Sequence, residues 1–383
     1  MPWKEVSAMS ARREFVTLAA GPAANVRELC RRFAISPTTG YKWIGRADSE
    51  DFEDRSRRPH HSPNRTETTI EQLVLEIRDA HPFWNARKIR RLLQRELRSE
   101  QCVPAASTIG AILKRNGRID PKATAKAHQW QRFEHAAPNE LSQIDFMGHF
   151  AVGERRCYPL TMLDDHSRYA QLLVACANER TETVQQHLIG AFRRFGLPRA
   201  MNMDNGNPWG NPTGDPYTKL TVWLIRLGIC ISHSRPLHPQ TNGKEERFHR
   251  TIRTELLGRR SFTSFTDIQH LFDRWRDVYN HDRPHEALGL DVPASRYLPS
   301  GRSYPEGVPA IEYNENDVVR KVRHNGMLAV WRHDFYVGQA FAGEWLALRP
   351  TRQDGIWDLY FCHKRIKTID RHDPQTLSLS YRH

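Results

Sequence analysis

From about residue 136 the order of apolar segments admits few folds. Three short runs come first, LSQIDFMGHFAV, CYPLTMLDD and AQLLVACA, each with the length and residue types of a strand. TETVQQHLIGAFRRFG then has helical spacing and ends on Gly196, a residue suited to closing a helix. RAMNMD is a short strand, YTKLTVWLIRLG a helix, ICISHSRP a strand and NGKEERFHRTIRTELL a helix. This β-β-β-α-β-α-β-α order predicts an α/β domain with a mixed sheet.

The segments on either side have different periods. Residues 1–60 read as helical. In NVRELCRRFAISPTTGYKWIGR, Val26, Leu29, Cys30 and Phe33 mark one helix and Ala34-Ile35 a short turn. Ser36 and Pro37 supply a cap and a first helical residue for a second helix. This is a helix-turn-helix pattern, with Thr38, Thr39, Tyr41 and Lys42 on the exposed side of the recognition helix. An ordinary helical hairpin has the same signature. Residues 47–65 are polar and proline-containing and read as a linker, with a basic RSRR inside it. A second helical module follows, with ARKIRRLLQREL placing Ile89, Leu92, Leu93 and Leu97 inward and Arg87, Lys88, Arg90, Arg91 and Arg95 largely outward, a basic face on which Arg87, Lys88 and Arg91 are candidate DNA contacts; Ser107 is a candidate cap for a third helix. Beyond residue 300, VVRKVRHNGMLAVWRHDFYVG, EWLALRPT and IWDLYFCHKRIKTID predict a small β-barrel-like or sandwich domain. The expected boundaries are 1–60, 61–130, 131–300 and 301–383.

Composition narrows the partners. The 383 residues carry a formal charge of +13, which favours an anionic partner, nucleic acid first among them. Six widely spaced cysteines form no CxxC pair, and HExxH is absent, so a zinc or redox motif is not expected. No segment approaches the apolar length of a membrane span, and the N-terminal residues lack the apolar centre of a signal peptide.

Three acidic residues of the α/β region are candidates for chemistry. Asp145 interrupts an apolar strand, Asp204 ends another before an Asn-Gly turn, and Glu246 opens a helix. A carboxylate in a core strand is costly unless a cation compensates it. Carboxylates from a strand, a neighbouring strand end and a helix can converge on two Mg²⁺ or Mn²⁺ ions about 3.5–4 Å apart, the arrangement that activates an oxygen for in-line attack on a phosphodiester. Singly, Asp204 could be a turn former and Glu246 a solvated helix residue. Glu245 competes with Glu246. At about 100° per residue it lies near the apolar face of Phe248, Ile252 and Leu256, whereas Glu246 shares its face with Arg250 and Arg253, cations suited to phosphate. Asp164 and Asp165 fall where one strand turns into the next and read as turn formers or acceptors for Arg168.

NELSQIDF, MDNGNPW, HPQTNGKEERFHRTIRTEL and YNHDRPHEALG together resemble DDE transposases with a retroviral-integrase catalytic core, most closely the bacterial insertion sequence 481 family. The resemblance implies an RNase H-like core over about 136–300 and metal-dependent cleavage at an element's ends, followed by joining of 3′-hydroxyls to target DNA. It implies Asp145, Asp204 and Glu246 as catalytic metal ligands for Mg²⁺, with Mn²⁺ as a substitute. Arg253 and Lys244 take DNA-contacting positions. The helical N-terminal region would recognise terminal inverted repeats, and a homodimer or larger synaptic complex would hold two ends together. A bacterial cytoplasmic, nucleoid-associated location is implied too. Two features depart from the pattern: Glu245 stands where related cores carry a small apolar residue, and NPWGNPTGDPYTK lengthens the second spacing, predicting an ordered loop. Neither removes a ligand. Another RNase H-like nuclease, or a helix-turn-helix regulator with an inactive core, remains an alternative.

Overall fold

The computed structural model describes residues 7–49, 51–54, 65–97, 101–119, 134–210, 217–233, 243–258, 261–331 and 333–372. The RSRR of the linker and the HPQTN stretch before residue 243 lie outside them. The chain divides into two compact units, 1–65 and 66–383.

The described residues of the first unit form the α-helices α1 (Ala8–Ala19), α2 (Val26–Arg32) and α3 (Pro37–Ile44). Asn25 caps α2. Ser36 caps α3, its side chain accepting from the Thr39 backbone at 3.2 Å, and Pro37 begins the helix. Phe15, Cys30, Trp43 and Phe52 form the core. Gly40 lets α3 lie against it, because a Cβ there would stand 2.5 Å from the Cys30 sulfur and 3.0 Å from Phe15.

The second unit opens with α4 (Thr68–Ala80), α5 (Ala86–Glu96) and α6 (Ala106–Arg115), packed around Val74, Trp84, Ile89, Leu93, Ile109 and Ile112. The central sheet then takes the strands β1 (Leu141–Phe146), β2 (Phe150–Val152), β3 (Arg155–Asp164), β4 (Ala170–Cys176), β5 (Ala200–Met203) and β6 (Cys230–His233). β1 pairs antiparallel with β3 and parallel with β5, and β5 pairs parallel with β6, giving the predicted mixed sheet. The first predicted strand is two. Asp145 faces Thr161 and Phe150 faces Cys157, so the β1–β2 side carries one extra residue, at a bulge where Gly148 adopts φ +90°. Helices α7 (Thr181–Phe195), α8 (Lys219–Arg226), α9 (Gly243–Ile252) and α10 (Phe265–His281) flank the sheet.

The C-terminal strands differ from the expected barrel. β7 (Val318–Lys321), β10 (Trp345–Pro350), β11 (Ile356–Phe361) and β12 (Lys364–Asp370) form an open antiparallel sheet in the order β12-β11-β10-β7, and β8 (Met327–Val330) pairs with β9 (His333–Tyr336) in a separate two-stranded sheet. Among the described residues β7 and β12 are free edges, so the sheet does not close. Its apolar side chains need no closure to be buried, because Leu346, Leu348, Leu359 and Phe361 share a continuous core with Trp223 and Leu220 of α8.

The segment YNHDRPHEALG binds these parts together. Asn280 donates to the Ala170 carbonyl at 3.1 Å and accepts from its N–H at 2.8 Å, fixing the end of α10 on β4. Tyr279 packs edge-on against Phe248 of α9 and His285, with ring centroids 4.9 and 4.6 Å away. Asp291 pairs with Arg91 of α5, and Glu286 accepts from Asn85 at 3.0 Å.

Candidate active site

β1 lies inside the sheet, and its parallel neighbour β5 sets the second acid beside the first. Gln143 is level with Asn202. Asp204 follows the last residue of β5 directly, close enough for its charge to act on Asp145 in the neighbouring strand. Asp204 leaves β5 into a turn where its carboxylate accepts from the Gly206 N–H at 3.1 Å. His233, at the end of β6, donates from Nδ1 to the Asp204 carbonyl at 2.9 Å. Gly210 then passes close under the turn, where a Cβ would meet the Asn205 carbonyl at 2.4 Å. Trp209 is buried, 6.2 Å from the Phe146 ring, so the described part of the expected loop is ordered; residues 211–216 lie outside the description.

The charge of Asp204 raises the cost of ionising Asp145. Burial first, then the charge of Asp204, push Asp145 up to about 7; Glu179 and Glu246 add to the effect and the Phe146 N–H opposes it. Asp204 is raised by burial, against the Gly206 N–H and His233. Glu179, in the loop before α7, is raised by burial and by Asp204. The sequence reading missed Glu179 and His233. Only the folding of the sheet brings the β4–α7 loop and the β6 end beside Asp204, and no spacing signals it.

α9 presents Glu245 and Glu246 to different surroundings, as the helix-face argument predicts. Glu246 is exposed, and so are Arg250 and Arg253. Arg253 opens a π-helical turn (Arg253–Leu257) and donates to the Met147 carbonyl at the β1–β2 bulge. Glu245 is buried beside Asp145, its Oε2 in hydrogen-bond contact with the Thr161 hydroxyl at 3.1 Å. Burial, then Asp145, raises its carboxyl well above the usual range. Asp164 accepts from the Ser167 and Asn139 N–H groups, the turn-forming role expected of it. Asp165 accepts from Gln143 and pairs with Lys244, so Lys244 is held against the β3–β4 turn.

A cation fits this arrangement. Repelling carboxylates of raised pKa are oxygen donors that a divalent ion would return to their ionised form. Among the described residues no three His, Cys, Asp or Glu side chains stand close enough to enclose an ion by themselves.

The predicted DNA-contacting residues are divided. On α3, Thr38, Tyr41 and Lys42 are exposed, while Thr39 is half-buried and its hydroxyl bonds to that of Ser36. On α5 the outward expectation fails for Lys88, which is only 8% exposed. Arg87 pairs with Glu286 at 3.5 Å and Arg91 with Asp291 at 2.5 Å. The amphipathic pattern of α5 gives one buried face, but the helix is packed on two sides. Its second partner is the segment after α10.

Comparison with known proteins agrees with this architecture. A family model described as an integrase core domain matches residues 135–239, and a second of that description matches 227–293. The model for the C-terminal domain of IS481 family transposases matches 317–376. By these matches the chain carries an integrase core followed by a segment similar to the C-terminal domain of IS481 family transposases. A homeodomain-like model matches residues 39–113, from α3 to α6. An uncharacterized 31.7 kDa protein of insertion element IS407 from Burkholderia multivorans is 29% identical over 41% of the chain and 55% of its own length. A putative transposase for insertion sequence element IS5376 from Geobacillus stearothermophilus is 23% identical over 65% of the chain and 63% of its own. The chain thus spans about half the length of the first curated relatives it matches. A simian T-cell lymphotropic virus intasome in complex with a PP2A regulatory subunit covers 77% of this chain and 99% of its own, at 15% identity and a TM-score of 0.37.

Proposed function

We propose that the chain is a DNA transposase that binds the terminal inverted repeats of an insertion sequence, cleaves the element ends and joins their 3′-hydroxyls to target DNA. The observation that carries this reading is the pairing of parallel strands β1 and β5, which brings Asp204, just past the end of β5, close enough to Asp145 to oppose its ionisation. Asp145 and Asp204 would hold Mg²⁺ or Mn²⁺ with Glu246 from α9. The bound ions supply charge neutralisation at the attacking and leaving oxygens of a phosphodiester.

The remaining work falls to the chain's own groups. Arg250 and Arg253, on the exposed side of α9 with Glu246, grip phosphates and orient the scissile strand. Burial of Asp145 keeps water from screening the site's charge. Thr38, Tyr41 and Lys42 on α3 face the repeat, with Thr39 beside the helix cap. Two ends must react together, so a homodimer or larger synaptic assembly is the working form. No described helix is long and apolar enough to cross a membrane; a cytoplasmic, nucleoid-associated location accords with DNA as substrate. The domain limits proposed are 1–60, 61–130, 131–300 and 301–383. The reading is tested by incubating the chain with DNA carrying the element's ends and Mg²⁺: nicked ends and joined products are expected, and binding with neither product contradicts it.

A further inference from the structure

Directly beneath the Asp145 backbone lies a buried polar knot that the proposed chemistry does not use. Thr161, fully buried on β3, stands opposite Asp145 across the antiparallel pairing. Its hydroxyl oxygen lies 3.0 Å from the Asp145 carbonyl, 3.1 Å from Glu245 Oε2 and 2.8 Å from His249 Nε2. The last two residues also approach each other, His249 Nε2 to Glu245 Oε2, at 3.3 Å. One side chain of the sheet therefore touches the backbone of β1 and two successive turns of α9. A hydroxyl can donate once and accept twice, so when it donates to the Asp145 carbonyl it accepts from His249 Nε2 and from Glu245, whose raised carboxyl keeps a proton to give.

The position of the knot gives it a role. Glu245 precedes Glu246 and His249 follows it by one turn, so both flank the exposed carboxylate on its own helix. The sheet end of the knot is the peptide of Asp145. Packing of Phe248 and Ile252 holds α9 against the sheet, but apolar contacts leave sliding and rotation weakly specified. Directional bonds from one hydroxyl to both elements remove that freedom.

Resting on the transposase reading above, we propose that Thr161, with Glu245 and His249, is a positioning group that sets the separation between Asp145 on β1 and Glu246 on α9. None of the three touches DNA or the reacting atoms in this role. Groups of this kind act on metal affinity, and their loss typically weakens it by about 10- to 100-fold.

The test uses the full-length chain and Thr161→Val, which keeps shape and removes the hydroxyl, with Thr161→Ser as the conservative variant. Mn²⁺ binding is followed by electron paramagnetic resonance, and end cleavage is titrated against metal concentration. The expected result is Mn²⁺ affinity at least about 10-fold weaker in Thr161→Val. Cleavage should shift to higher metal in parallel, DNA binding should be retained, and Thr161→Ser should be near wild type. His249→Leu, which removes one of the two α9 contacts and leaves Thr161 in place, should move the same way and serves if the valine variant does not fold. Wild-type metal affinity in a folded Thr161→Val or His249→Leu chain, beside an active wild type, overturns the positioning role and leaves the transposase reading intact. A wild type that neither binds Mn²⁺ in an Asp145-dependent way nor cuts overturns both.

Discussion

Arg283 grips Glu255 through both Nε and Nη2, at 3.1 and 2.8 Å, and each side chain is only 11% exposed. The pair joins the segment after α10 to the π-helical turn that ends α9. It anchors the far end of the helix whose first turn bears Glu246. Arg283→Ala should destabilise the 66–383 unit by about 3 kcal/mol, because it strands a shielded carboxylate. Replacing both partners by methionine should cost much less. Thermal unfolding of the three chains measures the difference; equal losses would show that the pair acts by packing alone.

Lys88 gives a stability prediction of unusual sign. Burial is the main cause that lowers it to about 8, with Arg283 adding and Glu255 and Glu286 opposing. Below pH 8 folded and unfolded chains both hold the proton, and the cost of burying the charge is complete. Between pH 8 and 10.5 the folded state releases its proton first, the unfolded state binds more, and this contribution to stability rises with pH. Lys88→Met should therefore stabilise the chain at pH 7, by up to roughly 3 kcal/mol. The gain should fade toward pH 10. A gain that does not vary with pH would refer the effect to packing.

Asp145 reads the other way. Below pH 4 both states are neutral. Between 4 and 7 the unfolded carboxyl has ionised while the folded one keeps its proton, so stability falls as pH rises until the cost is complete above about 7. Asp145→Asn should be more stable than wild type at pH 8, by on the order of 2–4 kcal/mol, and should lose this advantage near pH 4. Mg²⁺ should raise the melting temperature of wild type and not of the variant. A less stable variant at pH 8 would contradict the like-charge account.

The strands and helices around Asp145 and Asp204 were readable because each is short, apolar and bounded by turn residues. The α3 cap was readable because Ser36 and Pro37 are local signals. What sequence could not supply was tertiary. The outward basic face of α5 looks solvated until α10 and Asp291 are placed against it. The bulge at Gly148 appears only as a change of register against β3. Glu179 and His233 reach Asp204 from segments 25 and 29 residues away in the chain. The barrel expectation failed because alternation predicts strands but not which edges meet.

Placement of the cations predicts which of them matter for DNA. Lys42→Ala and Tyr41→Ala on exposed α3 should weaken binding to the terminal repeat without lowering stability. Arg91→Ala should lower the melting temperature, since it frees Asp291, and change repeat affinity little once folding is controlled. Fluorescence anisotropy with a repeat duplex beside a melting curve separates these effects. A large affinity loss for Arg91→Ala with unchanged melting would return α5 to the DNA interface.

The most direct measurement compares wild type with Asp204→Asn on DNA carrying the element's own ends, in Mg²⁺, scoring binding, nicking and joining together. The account predicts that both chains bind and that only wild type nicks and joins. If both bind and neither cuts in Mg²⁺ or Mn²⁺, or if Asp204→Asn cuts as well as wild type, the carboxylate site is not the centre of catalysis.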